Sequence, residues 1–263
     1  MNTFTIQETT EISLEVGRIL LQSGATTNRV ELMMRKVCGV FGYPETEAYV
    51  TPTGIFLSVA DRENKVTTSI KRIDNRRIDL GKITSVSHLV GEMEKRHCRD
   101  GRCDLGAAQF LEQLHRIEEE KTYPAWLTVF SGGTTSGFFC LLFGGSWMEF
   151  VVAYAVGVLV VLSLRLLGKL QINNFLINIL GAALVVSFAK LLDIVVPGIK
   201  LDNIIIGGIM LLVPGLSFVN AIRDSMSGDL VSGTARAVEA LFIAIAIATG
   251  SGVMLKVWEL WGF

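Results

Sequence analysis

The rhythm of apolar and polar positions changes twice along this chain. In residues 8–22, Ile12, Val16, Ile19 and Leu20 recur at helical spacing, which predicts an amphipathic helix ended by Gly24. Thr26 or Thr27 can cap a second helix through Val40, with Val30, Met33, Met34 and Val37 on one face, stopped by Gly42, Tyr43 and Pro44. Alternation and β-branching then take over in residues 47–59, polar residues 61–64 read as a turn, and residues 65–70 read as a returning strand, a hairpin. Residues 78–95 predict a further helix or a short strand pair, and residues 105–120 a polar helix. Beyond that point the polar phase disappears. Five apolar segments follow at about 124–143, 147–164, 175–196, 204–222 and 237–255. Each is near the ~20 residues with which a helix crosses ~30 Å of hydrocarbon. The expected fold is therefore a membrane all-α domain of five transmembrane helices, residues 123–263, preceded by a small cytoplasmic α+β domain, residues 1–122.

Charge follows the same division. Residues 1–123 hold 17 of the 24 Lys and Arg and 18 of the 25 Asp and Glu, whereas the remainder carries seven of each sign and 17 of the 26 Gly. The near-cancellation in the first part gives no reason to expect nucleic acid as a partner. The first 25 residues are acidic and polar without an apolar signal core, so the N-terminal domain is expected in the cytoplasm. With that orientation Arg116, Lys121, Arg165, Lys169, Arg223 and Arg236 fall inside, and Lys190, Lys200 and Lys256 outside, which agrees with the positive-inside rule. Cys38, Cys98, Cys103 and Cys140 do not make a disulfide framework. His97, Cys98 and Cys103 lack a fourth ligand at zinc spacing, so neither metal nor cofactor is expected. His88, His97 and His115 are scattered and form no nucleophile and base set, which argues against an enzyme.

One stretch is not explained by hydrophobicity: LVPGLSFVNAIRDSMSGDLVSGTARAVEA, residues 212–240. Pro214 and Gly215 interrupt an apolar segment, where Pro removes a backbone donor and clashes with the preceding turn. The freed carbonyls need protein, water or a ligand, because lipid cannot satisfy them. Asn220 and Asp224 share a face four residues apart, Arg223 lies beside them, Gly228 can end the helix, and Ser232 or Thr234 can cap the next span. Arg223 and Arg236 offer planar donor forks that match a carboxylate; Asp224, Asp229 and Glu239 can meet an ammonium or carry a coupling proton. Polar groups in such a setting usually line a substrate or ion pathway. An ordinary kink with a self-paired charged loop is the alternative. Small residues at four-residue spacing, Gly133 and Gly137 in the first span and Ala240, Ala244, Ala248 and Gly252 in the last, mark close helix packing, within the chain or against another subunit.

The SGATTNRVE stretch at residues 23–31, with a helix start suited to an anion, and the run PGLSFVNAIRDSMSGDLVSGTAR resemble the threonine/serine exporter family over essentially the whole chain. The resemblance carries the family pattern onto Pro214, Gly215, Asn220, Arg223, Asp224, Gly228, Asp229, Gly233 and Arg236. In that family a soluble domain precedes about ten spans in one polypeptide, or the unit is split between two proteins. This chain has the length and build of the larger subunit of the split type. The resemblance implies a small multi-span membrane subunit as partner, a small carboxylate-bearing substrate (threonine, serine or a succinate-like dicarboxylate) and a bacterial inner-membrane location. An odd number of spans would insert such a second unit upside down, as in inverted-repeat transporters. A homo-oligomer is a further option. The competing reading is a membrane-anchored regulatory or binding protein that works through its cytoplasmic domain.

Overall fold

The computed structural model describes residues 2–61, 65–74, 76–99, 102–120, 123–170 and 172–262, with the side chains of residues 2, 3, 96–99, 102 and 103 outside the description. The metal question raised by His97, Cys98 and Cys103 therefore falls outside the described side chains. The chain forms two compact units: residues 1–122 together with 216–237, and residues 123–215 together with 238–263. The division differs from the sequence expectation in one respect. The segment that follows Pro214 and Gly215 belongs with the N-terminal domain.

The first unit opens with strand β1 (Asn2–Thr3) and helix α1 (Ile6–Gln22). A capping box starts α1: the Thr5 hydroxyl accepts from the Glu8 N–H, and the Glu8 carboxylate accepts from the Thr5 N–H at 2.8 Å. Gly24 ends it with φ +91°, a conformation that disfavours any side chain. Helix α2 (Thr27–Val40) packs across α1, with Met34 lying where a Cβ on Gly17 would stand. Residues 47–59 are not one strand: β2 (Thr46–Thr51) and β3 (Gly54–Ala60) are joined by Pro52 and Thr53, and β4 (Val66–Arg72) completes an antiparallel sheet in the order β2-β3-β4. The two-residue turn at Pro52 breaks an alternation that ran on in the sequence. Of the alternatives open for residues 78–95, a helix is found, α3 (Leu80–Glu92), capped by Asp79 and prolonged by a π-helical turn, Met93–His97. Strands β5 (Cys98–Arg99) and β6 (Arg102–Cys103) form a small sheet with β1, and α4 (Ala107–Glu119) follows.

Apolar faces of α1 to α4 and one face of the larger sheet enclose the core, where Phe4, Phe41 and Phe110 cluster with ring centroids 4.1 to 6.0 Å apart. Arg18 ties α1 to α4 by a two-pronged bridge to Glu118, at 2.7 and 2.6 Å, and it also bonds Glu15. Hydrogen bonds from Arg18 hold the Glu118 carboxyl below the ordinary glutamate range. A depressed carboxyl adds stability above its unfolded pKa and loses it as pH falls through the folded value. The thermal midpoint of the full chain should therefore fall more steeply below about pH 4.5 than that of Arg18→Gln. Parallel curves would remove this bridge from the acid response.

The second unit contains α5 (Ala125–Leu142), α6 (Trp147–Leu167, extended by a 3-10 turn to Leu170), α7 (Asn174–Val195), the short α8 (Leu201–Ile209) and residues 238–260 of the last helix. Helix α9 (Gly215–Met226) and helix α10 (Leu230–Leu260) complete the chain. Among the described residues four helices are long and apolar enough to cross a membrane: α5, α6 with its extension, α7 and α10. The predicted fourth span, 204–222, is not one helix. Residues 210–214 separate α8 from α9, and the chain there makes only short-range bonds such as Leu212 N–H to Ile209 O and Gly215 N–H to Val213 O. Proline, which donates no hydrogen bond and disfavours helix in the residue before it, accounts for the break.

Helix α8 lies among α5, α6 and α7. Its start is held by Glu149, which accepts from the Lys200 N–H at 2.7 Å and from Asn203 Nδ2 at 3.3 Å while also capping α6 through Ser146. Glu149 is 4 % exposed although it stands in the first turn of a helix. Its position at the start of a span hid its two partners from a reading of local pattern.

The small residues divide between two situations. A Cβ on Gly133 would stand 2.8 to 2.9 Å from Val158 and Tyr154, and one on Gly137 2.8 Å from Phe150, so these glycines seat α5 on α6. In α10 Ala240 is buried, but Ala244, Ala248 and Gly252 are exposed; the close approach is made by Gly250 against the Ile179 carbonyl. Gly137→Val should lower the thermal midpoint of the purified chain by the equivalent of roughly 1–3 kcal/mol, the usual effect of overpacking. Gly252→Val, with nothing within 4 Å, should leave it unchanged. Fluorescence-monitored melting in detergent compares the two.

Candidate functional site

The two motif-bearing stretches, from opposite ends of the chain, meet inside the first unit. Helix α9 ends at Gly228, φ +90°, with the Asp229 N–H returning to the Asp224 carbonyl. Asp229 then caps α10 by accepting from the Ser232 N–H at 3.2 Å. Gly233 lets α10 press on α9, since a Cβ there would stand 2.9 Å from the Ala221 carbonyl. This tight corner presents three polar side chains to the turn between α1 and α2.

Each of them finds main chain. Asn220 Nδ2 donates to the Gly24 carbonyl at 3.0 Å, Arg236 Nη2 donates to the Ala25 carbonyl at 2.8 Å, and Asp224 Oδ1 accepts from the Thr27 N–H at 3.3 Å. Ser232 adds a longer bond to the Val50 carbonyl. Arg236 Nε and Asp224 Oδ2 stand 3.1 Å apart, an ion pair by distance that lies off the hydrogen-bond line. Asp224 is 0 % exposed, and Asn220 and Arg236 are 5 %. Thr26, at the N-cap of α2, makes no side-chain cap, and the Asp224 carboxylate takes that place from 197 residues away. The helix start read as an anion site is thus occupied by an acid of the same chain. Burial pushes the Asp224 carboxyl up, and Arg236 and Thr27 pull it back.

The other sequence candidates are not in this cluster. Arg223 is exposed on α9, and Asp229 is half-buried at the corner. Pro214, Gly215 and Glu239 belong to the second unit, where Gly215 has open space at its Cβ position. Beside the corner lies a cavity of about 410 Å³ lined by Asn28, Glu31, Tyr49 and residues 227–231. Glu31 accepts from the Val50 N–H at 3.0 Å and from Arg35 at 3.1 Å; burial raises its carboxyl above the ordinary value, and Asp229 adds to the rise. Sequence reasoning passed over Glu31 and the carbonyls of Gly24 and Ala25, and it offered Ser232 or Thr234 as the cap of α10, a place that Asp229 takes. Only Glu31 carried a signal, as an acid within the SGATTNRVE stretch. Among the described residues no group of three His, Cys, Asp or Glu is placed to hold a metal ion.

The family profile described as "Putative threonine/serine exporter" matches residues 11–258, which include both stretches. The chain belongs to this family. It is therefore a multi-pass membrane transporter of the threonine/serine exporter family and not an enzyme. This exporter-family chain is 24 % identical over 268 residues to the "Probable succinate transporter subunit YjjP" of Escherichia coli (strain K12), covering 100 % of each. It is 23 % identical to the "Threonine/serine exporter" of Corynebacterium glutamicum, over 95 % of this chain and 51 % of that protein. It is 22 % identical to the "Probable threonine/serine exporter" of Mycobacterium tuberculosis, over 94 % of this chain and 45 % of that protein. No solved structure matches.

Arg236→Met would leave Asp224 buried without its counter-charge, a change that costs about 3–5 kcal/mol when one partner of a buried pair is lost. The double change Asp224→Leu/Arg236→Met should cost less than the sum of the two single changes. Thermal unfolding of all four proteins in detergent gives the coupling; additive losses would show that the pair does not act as one.

Proposed function

We propose that this chain is one component of a two-component secondary transporter that exports a small carboxylate-bearing metabolite, the other component being a small multi-span membrane subunit. The observation that supports this reading is the break between α8 and α9 at residues 210–214. In this reading residues 1–122 and 216–237, which form one compact unit, share one side of the membrane. Helices α5, α6 and α7 take the chain across three times, and residues 201–215 must bring it back. Nine residues of α8 rise only about 13.5 Å, and turns and irregular chain follow at residues 210–214. In this reading the fourth of five crossings is a short helix followed by a non-helical segment.

Main chain that is not helical is tolerated at membrane depth only where protein covers it or water reaches it. Discontinuous helices of this kind form the ion and substrate sites of secondary transporters. Pro214 and Gly215 are the residues that open the helix, and Arg223, Asp229 and Glu239 are ionisable groups that follow them in sequence and can guide a carboxylate or a coupling ion. Asn220, Asp224 and Arg236 have a positioning role, since their donors and acceptors are engaged with the α1–α2 turn.

The partner follows from lengths and names. The relative of matching length is named a subunit, whereas the one-chain exporters are about twice as long. Their names support threonine and serine or succinate as substrates, all carboxylates. Five crossings place the two ends of the chain on opposite sides, and the excess of Lys and Arg on the N-terminal side supports a cytoplasmic N-terminal domain in a bacterial inner membrane.

Efflux of preloaded labelled threonine, serine and succinate, from cells expressing this chain with and without the small membrane protein encoded beside it, tests the proposal. Export is expected only with both proteins. Pro214→Ala/Gly215→Ala should slow it at least about tenfold at equal membrane levels, the scale on which misplaced binding groups act. Efflux of none of the three by correctly inserted proteins would reject this reading in favour of a regulatory or binding role for the soluble part.

A further inference from the structure

The loop that precedes α3 has no part in the proposed transport path, yet its composition and place are unusual for a solvent loop. Residues 71–82, KRIDNRRIDLGK, contain five cations and two acids. Both acids are engaged, Asp74 with Arg72 at 3.0 Å and Asp79 as the cap of α3 at 3.1 Å from the Lys82 N–H. Arg76 and Arg77 are exposed, and so are two large apolar side chains beside them, Ile78 at 56 % and Leu80 at 59 %. Cations next to exposed aliphatic side chains match the surface of an anionic bilayer, where charge meets headgroups and the aliphatic groups sink below them.

The loop also lies where the chain leaves this unit. The Arg77 N–H donates to the Gln22 carbonyl at 2.8 Å and the Asp79 N–H to the Ser23 carbonyl at 3.0 Å, and the Ile78 side chain covers Gly24. The carbonyl of Gly24 accepts from Asn220, in the second turn after the break at Pro214. On the other side, Lys82 Nζ bonds the Glu118 carbonyl in the last turn of α4. Five residues separate Glu119 from Ala125, where the first span begins, a reach of at most about 17 Å. Exposed Tyr123 and Trp126 at that start are the aromatic side chains that mark a headgroup layer. Within its own unit the loop is thus bonded both to Glu118, which precedes the first span in the chain, and to the turn that receives Asn220.

We propose that residues 76–80 dock the soluble part on anionic lipid headgroups of the leaflet it faces, with Arg76 and Arg77 supplying charge and Ile78 and Leu80 insertion. The partner is the lipid surface itself, selected by charge complementarity and by the short tether. Two of the loop's own amides are already bonded to residues 22 and 23, so docking needs no rearrangement of the fold.

Hydrogen–deuterium exchange of the full chain in nanodiscs tests this, comparing phosphatidylcholine alone with discs containing about one third phosphatidylglycerol. The amides of residues 76, 78 and 80 should exchange roughly threefold or more slowly in the anionic discs, a local closure that lipid charge controls. Arg76→Gln/Arg77→Gln should abolish the difference, while unchanged protection of β3 shows that the variant is folded. Arg35→Gln, a cation of α2 exposed elsewhere, should retain it. Equal exchange of the parent in both lipids would overturn the proposal. So would a lipid effect that survives in the double variant, or one that Arg35→Gln removes equally.

Discussion

A buried pair of opposite charges at the start of α2 is the constraint on which the soluble unit depends. Asp224 and Arg236 lie twelve residues apart on two helices joined by a tight corner, and both reach the turn between α1 and α2. Removing two charges from water is costly, and only further hydrogen bonds make it tolerable. Here the main chain supplies them, through the N–H of Thr27 and the carbonyl of Ala25, while Asn220 takes the carbonyl of Gly24. Specificity follows from this arrangement. A turn with a different path would leave a carboxylate and a guanidinium in a dry site, so the first forty residues and the corner at residues 226–230 fix one another.

Much of the soluble fold was legible because its signals are local. The spacing of Ile12, Val16, Ile19 and Leu20 and the stop at Gly24 define α1 without knowledge of anything distant. The β2–β3 turn was missed because Pro52 and Thr53 sit inside an unbroken alternation, where turn chemistry is carried by two residues and the periodicity by thirteen. The four long spans were likewise readable from apolar length. Residues 204–222 were read as one spanning helix because hydropathy sums side chains, whereas the break at residues 210–214 is a property of the main chain.

Of the cluster around Asp224, the side chains were legible but not their arrangement. The residues that mattered were visible as polar groups in an apolar context, and Pro214 announced an interruption. That Asp224 would face Thr27 was not visible, because the contact joins positions 197 residues apart and half of each interaction is a main-chain atom that every residue possesses. The same limit applies to Glu149, which tertiary contact buries through the Lys200 N–H and Asn203. Long-range polar contacts to main chain leave no trace in side-chain chemistry.

Glu149 also sets a mechanical condition on the membrane unit. A helix of nine residues has little cooperative stability of its own. Its flank is smooth where it meets α5 and α7, with Gly207 against the Ser136 main chain and Gly208 against Val185. Smooth flanks resist sideways displacement but offer little friction along the axis. The Glu149 carboxylate grips the Lys200 N–H and Asn203 at the start of α8, and buried Ile204 and Ile205 seat the helix in the core beyond it. The short helix is in effect a bolt pinned at its entry.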